Sequence, residues 1–462
     1  MKKISIYIMG FVLLASSGCK KFIDVNTDPN NAVDGTEATI LPPVEIAIAD
    51  EMYGGNAAFI VQNFMQTTAI NQPPPQIGTY LEINSDLDGD WSVYYNTVLI
   101  NLKIMNTKAV ADGKLNYAAI AQILSALALG NATDLWGDIP YSQALQGTAN
   151  LSPVYDKQEA IYNDIQTLLD KGIADINAGT TTVPSGDDFF YTGDMSKWKM
   201  LAYSLKARYY MHLTKAPGYT AAAQAQLALT ALTNAMQSSD DDLEYIFPGA
   251  AGQTNPWYNN FNQVSTAVIS SDFVDTLVTR NDPRLSKMVS PSTETGLYTG
   301  RQIGASAPGD LESYSYPSSF YMGIGAGVYM MSYSETLFLK AEATYIVSGY
   351  AAAQSIYQSA VTAHMTKVGV ATADITTYLS SRGTLTAANA EQRIIEEKFI
   401  SNYLNLEIFN DWRRTGYPTM VKVPNALSDI PRRVLYPEIE ITTNAQPQQS
   451  AILTDRVWWD AK

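Results

Sequence analysis

"YAAIAQILSALA", residues 117–128, is the stretch that best indicates the fold class. Its apolar residues recur at the i, i+3, i+4 and i+7 spacing of one face of an α-helix. They are Tyr117, Ile120, Ala121, Leu124, Leu127 and Ala128. Similar stripes occur in residues 199–213 and 337–345, and residues 221–236 and 351–363 are rich in alanine, a strong helix former. These patterns predict a mostly α-helical chain.

The predicted helices follow one another with short breaks. Glycine or proline marks the breaks at Gly113 and at Pro217 and Gly218, and Gly349 is predicted to end one helix just before the next begins at Ala351. Helices that come in pairs and stack on their neighbours form solenoids. We therefore predict an all-α fold, a tetratricopeptide-like helical-repeat scaffold.

Long irregular stretches interrupt this helical pattern at residues 71–89, 239–262 and 290–328. Loops of this length are usually functional or disordered, and their aromatic content argues against disorder. Tyrosine combines an apolar face with a polar tip and suits wet binding surfaces, so we predict a ligand surface on these loops. The predicted ligand-binding residues are Trp91, Trp257, Tyr258, Tyr314, Tyr316 and Tyr321. The alternative, that each ring only fills its own loop, stays open.

The single cysteine, Cys19, lies directly behind an apolar N-terminus. Lys2 and Lys3 are followed by an apolar stretch and then by the small residues 15–18, which is the layout of a secretory signal peptide. Small residues followed by cysteine resemble a bacterial lipobox. We predict a signal peptide over residues 1–18, a lipidated tether over 19–31 and a folded body over 32–462.

Charge and composition narrow the range of partners. The chain has 45 acidic and 30 basic residues, and its net charge of −15 argues against binding to nucleic acid. Hydrophobic residues make up 46% of the chain, which is enough for a large core.

The sequence offers little catalytic chemistry. Its two histidines, His212 and His364, lie in helical patterns and outside any metal-binding motif, so we expect no transition-metal site. Glu407 and Asp411 are four residues apart, as a pair of glycosidase carboxylates could be, but Arg413 and Arg414 follow them. Nearby cations lower carboxylate pKa values, which favours a structural ion-pair network over an acid catalyst.

The segment "NSDLDGD", residues 84–90, resembles the first half of a calcium-binding loop. A bidentate carboxylate should stand at the twelfth position, where Tyr95 is found. The acidic residues also suit the N-terminus of a helix, where carboxylates are stabilised. Helix capping is therefore the preferred interpretation, and a calcium ion near Asp86 and Asp88 is the alternative.

Several motifs in order along the chain resemble the SusD/RagB family, and in particular its SusD-like second subgroup. The motifs are "FIDVNTDPN" at 22–30, "DLWGDIPYSQAL" at 134–145, "SETLFLKAEATY" at 334–345, "FNDWRRTGYP" at 409–418, "IPRRVLYPEIEITTN" at 430–444 and "VWWD" at 457–460. The resemblance covers nearly the whole chain. The arginines in these motifs, Arg413, Arg414, Arg432 and Arg433, are predicted to pair with buried acids such as Glu342 or Asp411.

This resemblance implies a lipoprotein of the outer membrane, displayed at the cell surface and anchored through Cys19. It implies binding of oligosaccharides or other nutrients and their delivery to a SusC-like TonB-dependent β-barrel transporter. It also implies a helical fold without catalysis or cofactor. Three alternatives remain: a peptide-binding protein of the RagB type, a glycan-degrading enzyme, and a helical scaffold that binds only protein.

Overall fold

The computed structural model describes residues 35–263, 266–446 and 451–461. The predicted signal peptide and the tether with Cys19 lie outside the described residues. The folded body is the compact unit Glu37–Lys462.

Helices dominate the structure, and the predicted all-α class is confirmed. The α-helices are α1 Glu37–Ala47, α2 Asn56–Phe64, α3 Asp88–Ser92, α4 Ile100–Ala111, α5 Leu115–Trp136, α6 Gln158–Ala178, α7 Met195–His212, α8 Ala221–Leu232, α9 Pro256–Tyr258, α10 Ser271–Thr279, α11 Leu285–Met288, α12 Ser319–Met322, α13 Tyr333–Ser348, α14 Tyr350–Lys367, α15 Thr372–Arg382, α16 Ala390–Ser401, α17 Glu407–Thr415 and α18 Glu438–Thr443. Segments of π-helix run over Ile48–Met52, Val93–Leu99 and Asn259–Gln263. Short 3-10 helices are Ile77–Thr79, Asn84–Leu87, Gly147–Ala149, Leu213–Lys215, Ser239–Asp241 and Leu311–Ser313.

The strands are short and form antiparallel pairs. They are β1 Thr68–Ile70, β2 Ile139–Pro140, β3 Tyr155–Asp156, β4 Leu243–Ile246, β5 Ala267–Ile269, β6 Val289–Ser290, β7 Tyr316–Pro317 and β8 Gly327–Met331. The pairs are β1 with β5, β2 with β3, β4 with β8, and β6 with β7. In the first pair, Thr68 lies opposite Ile269 and Ile70 lies opposite Ala267. β4 and β7 lie within the loop regions that the sequence analysis singled out, and β6 and β8 overlap the region 290–328.

The helices stack in chain order. Each helix from α4 to α8 packs against the next, and α13 packs against α8, α14 and α16. This is the neighbour-to-neighbour packing of a helical repeat. The chain between α8 and α13 leaves the stack and forms the long aromatic loops.

Helix α5 lies at the centre of the stack because it is apolar on every side. It is long and apolar enough to cross a membrane by length and composition, with a mean hydropathy of 1.3, but 94% of that window is buried inside the protein. The helix ends where Gly137 adopts a φ of +80°, and the Gly137 N–H donates to Thr133. α5 is therefore a core helix in this fold.

The predicted helix boundaries agree with the structure to within a few residues. Gly349, with a φ of +84°, ends α13 as expected, and α14 begins at Tyr350. The N-terminus of α13 is capped by Ser332, whose side chain accepts from the N–H of Glu335. The alanine-rich helix α8 ends at Leu232, somewhat earlier than the predicted end at residue 236.

Candidate functional site

The six aromatic residues predicted to bind ligand divide into two groups in the structure. Trp91, Trp257 and Tyr321 are buried, with exposed fractions of 6%, 2% and 7%. Tyr258, Tyr314 and Tyr316 are half-buried and present part of their rings to solvent. The burial of the first three favours the alternative that these rings fill their own loops, and ligand contact by each of the six residues stays a prediction.

Trp257 and Tyr321 are buried because the loops that carry them fold onto the helices. The Trp257 ring lies 6.4 Å from that of Phe261, and the Tyr321 ring packs edge-on against Tyr403 at 5.2 Å. Both residues line a small cavity of about 40 Å³ that also contacts His364. This space is too small for a sugar ring.

Trp91 is buried for a different reason, since it begins a helical segment that packs on α5. Its ring meets Trp136 edge-on at 5.0 Å and lies 4.6 Å from the ring of Tyr95. The side chain therefore stabilises the junction between α3 and α5, and only its edge reaches the surface.

Tyr314 and Tyr316 lie on the same outer face of an extended segment. Side chains in a strand alternate between faces, and Ser315 between them is fully buried. The backbone of Ser315 is fixed on both sides: its N–H donates to Thr299 at 2.8 Å, and its carbonyl accepts from Ile269 at 3.2 Å. Tyr314 and Tyr316 therefore share one face of a supported extended segment that leads into β7, and we call this pair the tyrosine platform.

Arg301 holds this platform from below. It is 2% exposed, and its guanidinium donates to the Ile70 carbonyl at 3.0 Å and to the Tyr314 hydroxyl at 3.1 Å. It also donates to the carbonyls of Ala305 and Ala307 at 3.4 and 3.1 Å, and lies 5.7 Å from the centre of the Tyr314 ring. One buried cation thus joins β1 to the loop that leads into the platform.

The loop before the platform approaches Tyr314 very closely at Gly309. The Asn71 side chain donates to the Gly309 carbonyl at 2.8 Å and accepts from its N–H at 2.9 Å. A Cβ atom at Gly309 would lie 2.2 Å from the Tyr314 hydroxyl oxygen, so glycine is required for this contact. Gln72 and Gln302, next to these anchors in the chain, are exposed.

Arg301 and Asn71 were missed in the sequence analysis. Each makes contacts more than 200 residues away along the chain, with 231 residues separating Arg301 from Ile70 and 238 separating Asn71 from Gly309. No local sequence motif indicates contacts between residues so far apart in the chain.

The carboxylates considered for catalysis are part of a buried ion-pair network, as predicted. Glu407 and Asp411 are each 1% exposed. Asp411 pairs with Lys398 at 2.9 Å and with Arg414 at 3.0 Å. Burial would raise the pKa of Glu407, but neighbouring cations, Arg208 foremost, hold that pKa well below its usual value of 4.5. A carboxyl group in this state is a poor proton donor.

One group of potential metal ligands occurs among the described residues, formed by Asp134, His212 and Glu407, whose ligand atoms lie within 4.8 Å of one another. His212 contacts Glu407 at 2.9 Å and Asp134 at 3.4 Å. Burial lowers the pKa of His212, but the two carboxylates outweigh it and raise that pKa from 6.5 to about 9. A metal ion would have to displace the imidazole proton, and the Arg208 guanidinium already lies 3.6 Å from Glu407, so the contacts of these residues are those of a buried ion-pair cluster.

The four motif arginines do not all pair with acids. Arg414 binds Glu342 through two hydrogen bonds, and Arg432 binds Asp460 at 2.6 Å, as predicted. Arg413 instead donates to the Arg432 carbonyl at 3.0 Å and stacks on aromatic rings, and Arg433 donates to the Trp136 carbonyl. The prediction is therefore wrong for Arg413 and Arg433, whose contacts are with carbonyl groups and aromatic rings.

The acidic segment at residues 84–90 contacts backbone N–H groups. Asp86 accepts from the N–H of Ile83 at 2.9 Å, and Asp88 accepts from the N–H of Ile439 at 2.9 Å. Asp86 thus caps the 3-10 helix Asn84–Leu87, as the capping interpretation expects, whereas no side chain among the described residues caps the start of α3 at Asp88.

Comparison with known proteins gives the family. Residues 29–437 match the family SusD-like_2, described as "starch-binding associating with outer membrane". The chain belongs to this SusD-like family. No match to the chain was found among curated proteins.

Solved structures share the fold of this SusD-like chain over nearly its full length. A chitin-binding protein superposes with a TM-score of 0.79 at 25% identity, covering 92% of this chain and 100% of its own. A SusD/RagB family protein from Bacteroides thetaiotaomicron has a TM-score of 0.79 at 22% identity, covering 92% and 99%. A chitin-binding SusD homologue from Flavobacterium johnsoniae has a TM-score of 0.78 at 21% identity, covering 93% and 99%. The tetratricopeptide-like helical fold is thus confirmed.

Proposed function

We propose that this SusD-like protein captures oligosaccharides on the tyrosine platform. The observation that carries the proposal is the pair Tyr314 and Tyr316, held on one face of a strand whose support, Arg301, is buried and fully engaged. The description of the family as starch-binding and the chitin-binding relatives support a glycan as the ligand class.

The chemistry of the platform suits a sugar chain. A tyrosine ring covers the apolar C–H face of a sugar, and its hydroxyl remains available to a polar neighbour. The exposed amides of Gln72 and Gln302 can both donate to and accept from sugar hydroxyls. Because Arg301 and Asn71 fix the loops before ligand arrives, little conformational entropy is lost on binding.

Delivery to a transporter is the second part of the proposal. The protein is anchored to the outer membrane through a lipid on Cys19, is displayed at the cell surface, and passes its ligand to a SusC-like TonB-dependent β-barrel. The family description, which includes association with the outer membrane, supports this location. The role is one of binding without catalysis, supported by the burial and pairing of Glu407 and Asp411.

The test is a glycan array followed by titration calorimetry on the wild type and on the double variant Tyr314→Ala/Tyr316→Ala. We expect at least a tenfold loss of affinity for the best glycan, with an unchanged circular dichroism spectrum. Tyr350→Ala, which removes a ring that is 42% exposed at the start of α14, is the matched control and should bind normally.

Other outcomes would favour the alternatives. Unchanged affinity in the double variant would contradict the placement of the ligand on the platform. Binding of peptides instead of glycans would favour the RagB-type function, and release of shortened glycan products would favour an enzyme. Recovery of a protein partner without binding of glycan or peptide would favour the helical scaffold.

A further inference from the structure

A second groove lies away from the tyrosine platform, where the Val93–Leu99 segment meets the loop after β2 and helix α18. Its volume is about 320 Å³, which lies at the lower end of the range of about 300–1,000 Å³ typical of small-molecule sites. The lining residues used below are Tyr95, Asn96, Gln146, Asn150, Glu440 and Thr443. We call it the Tyr95 groove, and it has no residue in common with the tyrosine platform.

The floor of the groove is a fixed aromatic ring. Tyr95 is half-buried, its hydroxyl donates to the Pro140 carbonyl at 2.8 Å, and its ring lies 4.6 Å from that of Trp91. Both ends of the side chain are thus held in place. A ligand that stacks on this ring does not have to order it first.

The rim of the groove carries neutral amides. The side chains of Asn96 and Gln146 are exposed, and Asn150 is half-buried. The Asn150 amide is oriented by two bonds, because it donates to the Gln143 carbonyl at 3.0 Å and accepts from the N–H of Ser152 at 3.2 Å. An amide offers both donors and acceptors, and so does each hydroxyl group of a sugar.

Charge restricts the ligand further. Among the described residues that line the groove, none is a lysine or an arginine, and the one acid is Glu440. The Glu440 carboxylate already accepts from the Tyr155 hydroxyl at 2.9 Å and from Asn444 at 2.7 Å. Lys103, outside the lining, already donates to the Leu145 carbonyl at 2.8 Å, so an anionic ligand would find no cation among the described residues of the lining, and desolvating a charge without a partner is unfavourable.

We propose that the Tyr95 groove is a second carbohydrate site, which binds one or two rings of a neutral oligosaccharide. A sugar face stacks on Tyr95, and the hydroxyls at its edge bond to the amides of Asn96, Gln146 and Asn150. The site does not depend on the tyrosine platform, so the two can be tested separately. Two sites on one chain would hold a long glycan at two points and raise its overall avidity.

The test uses protein that carries Tyr314→Ala/Tyr316→Ala, so that the platform does not contribute. The probes are maltose, cellobiose, xylobiose and N,N′-diacetylchitobiose, measured by saturation-transfer NMR and titration calorimetry. Thr443→Trp fills the groove from its exposed edge. Thr442→Trp is the matched control, because Thr442 is an exposed neighbour on α18 outside the groove lining. Asn96→Ala/Gln146→Ala removes the rim amides without touching the core.

The proposal predicts that at least one disaccharide binds the platform-deficient protein. Thr443→Trp and Asn96→Ala/Gln146→Ala should each weaken that binding at least fivefold, and Thr442→Trp should leave it unchanged. Equal binding in the Thr443 and Thr442 variants would overturn the proposal, as would binding of none of the four disaccharides. A platform that does not bind glycan would be recognised in a different experiment. In that case, introducing Tyr314→Ala/Tyr316→Ala into the wild type would leave the glycan affinity unchanged.

Discussion

The stability of the protein should depend on pH through His212. This imidazole is fully enclosed and contacts the carboxylates of Glu407 and Asp134, while the Tyr162 hydroxyl lies 2.9 Å from its Nδ1. Its pKa in the folded protein is about 9, against 6.5 for an unperturbed histidine. Because the folded-state pKa is the higher one, the stabilisation is fully present below pH 6.5 and is lost as the pH rises through about 9.

The size of this effect follows from the two pKa values. Each pKa unit corresponds to about 1.4 kcal/mol, so a rise from 6.5 to about 9 makes a contribution of about 3 kcal/mol to the free energy of unfolding. In His212→Gln this contribution is absent at every pH. The difference in free energy of unfolding between wild type and variant should therefore shrink by about 3 kcal/mol between pH 6.5 and 9.5. Taking this difference cancels the titration of other groups.

Urea unfolding followed by circular dichroism, at intervals between pH 6.5 and 9.5, measures this difference. The other histidine supplies the control. Burial, with Arg284 and Lys367 nearby, lowers the pKa of His364 well below 6.5, so this residue is neutral above pH 7.5 in both states. The difference between wild type and His364→Gln should be flat from pH 7.5 to 9.5. A flat profile for His212→Gln as well would refute the assignment of a buried imidazolium.

Three further predictions concern stability, ligand binding and location. Arg414→Ala should lower the free energy of unfolding by about 3–5 kcal/mol, because it leaves the buried Glu342 without its ion-pair partner and removes one of the two cations paired with Asp411, whereas Lys422→Ala at an exposed pair should change it by less than about 1 kcal/mol; equal effects in urea unfolding would contradict this. Gly309→Ala should displace the Tyr314 ring and weaken glycan binding several-fold in calorimetry, and full affinity would show that the ring position is unimportant. Cys19→Ala should move the protein from the membrane fraction to the soluble periplasmic fraction in cells that lack the transporter, and membrane retention there would exclude lipid anchoring.

The helical scaffold could be predicted from sequence because its signals are local. The apolar spacing in α5, the alanine content of α8 and the glycine after α13 each act within one or two turns of helix. The ion-pair network at α17 was also accessible, since Glu407, Asp411 and Arg414 lie within eight residues. Lys398 was not predicted as a partner of Asp411, because that contact depends on how α16 and α17 pack.

The burial of individual aromatic rings could not be predicted, because it depends on contacts between distant segments. Trp257 and Tyr258 are neighbours in one short helix, yet the first is buried and the second is half-buried. The difference arises because α9 packs on α12 along one side only. Composition identified the aromatic loops, and tertiary packing decided which rings remain accessible.

The motifs that resemble the family have a structural explanation, which separates them from the tyrosine platform. Trp459 in the C-terminal motif donates to Asp134 in α5 at 3.0 Å, and the N–H of Val434 donates to the Leu135 carbonyl at 3.2 Å. These contacts hold the C-terminal segment to the central helix of the stack. The tyrosine platform lies instead in the long insertion between α8 and α13, and the quoted motifs lie outside that insertion. Substitutions at these buried motif contacts should therefore change stability first, and substitutions at the platform should change the choice of ligand while the scaffold stays intact.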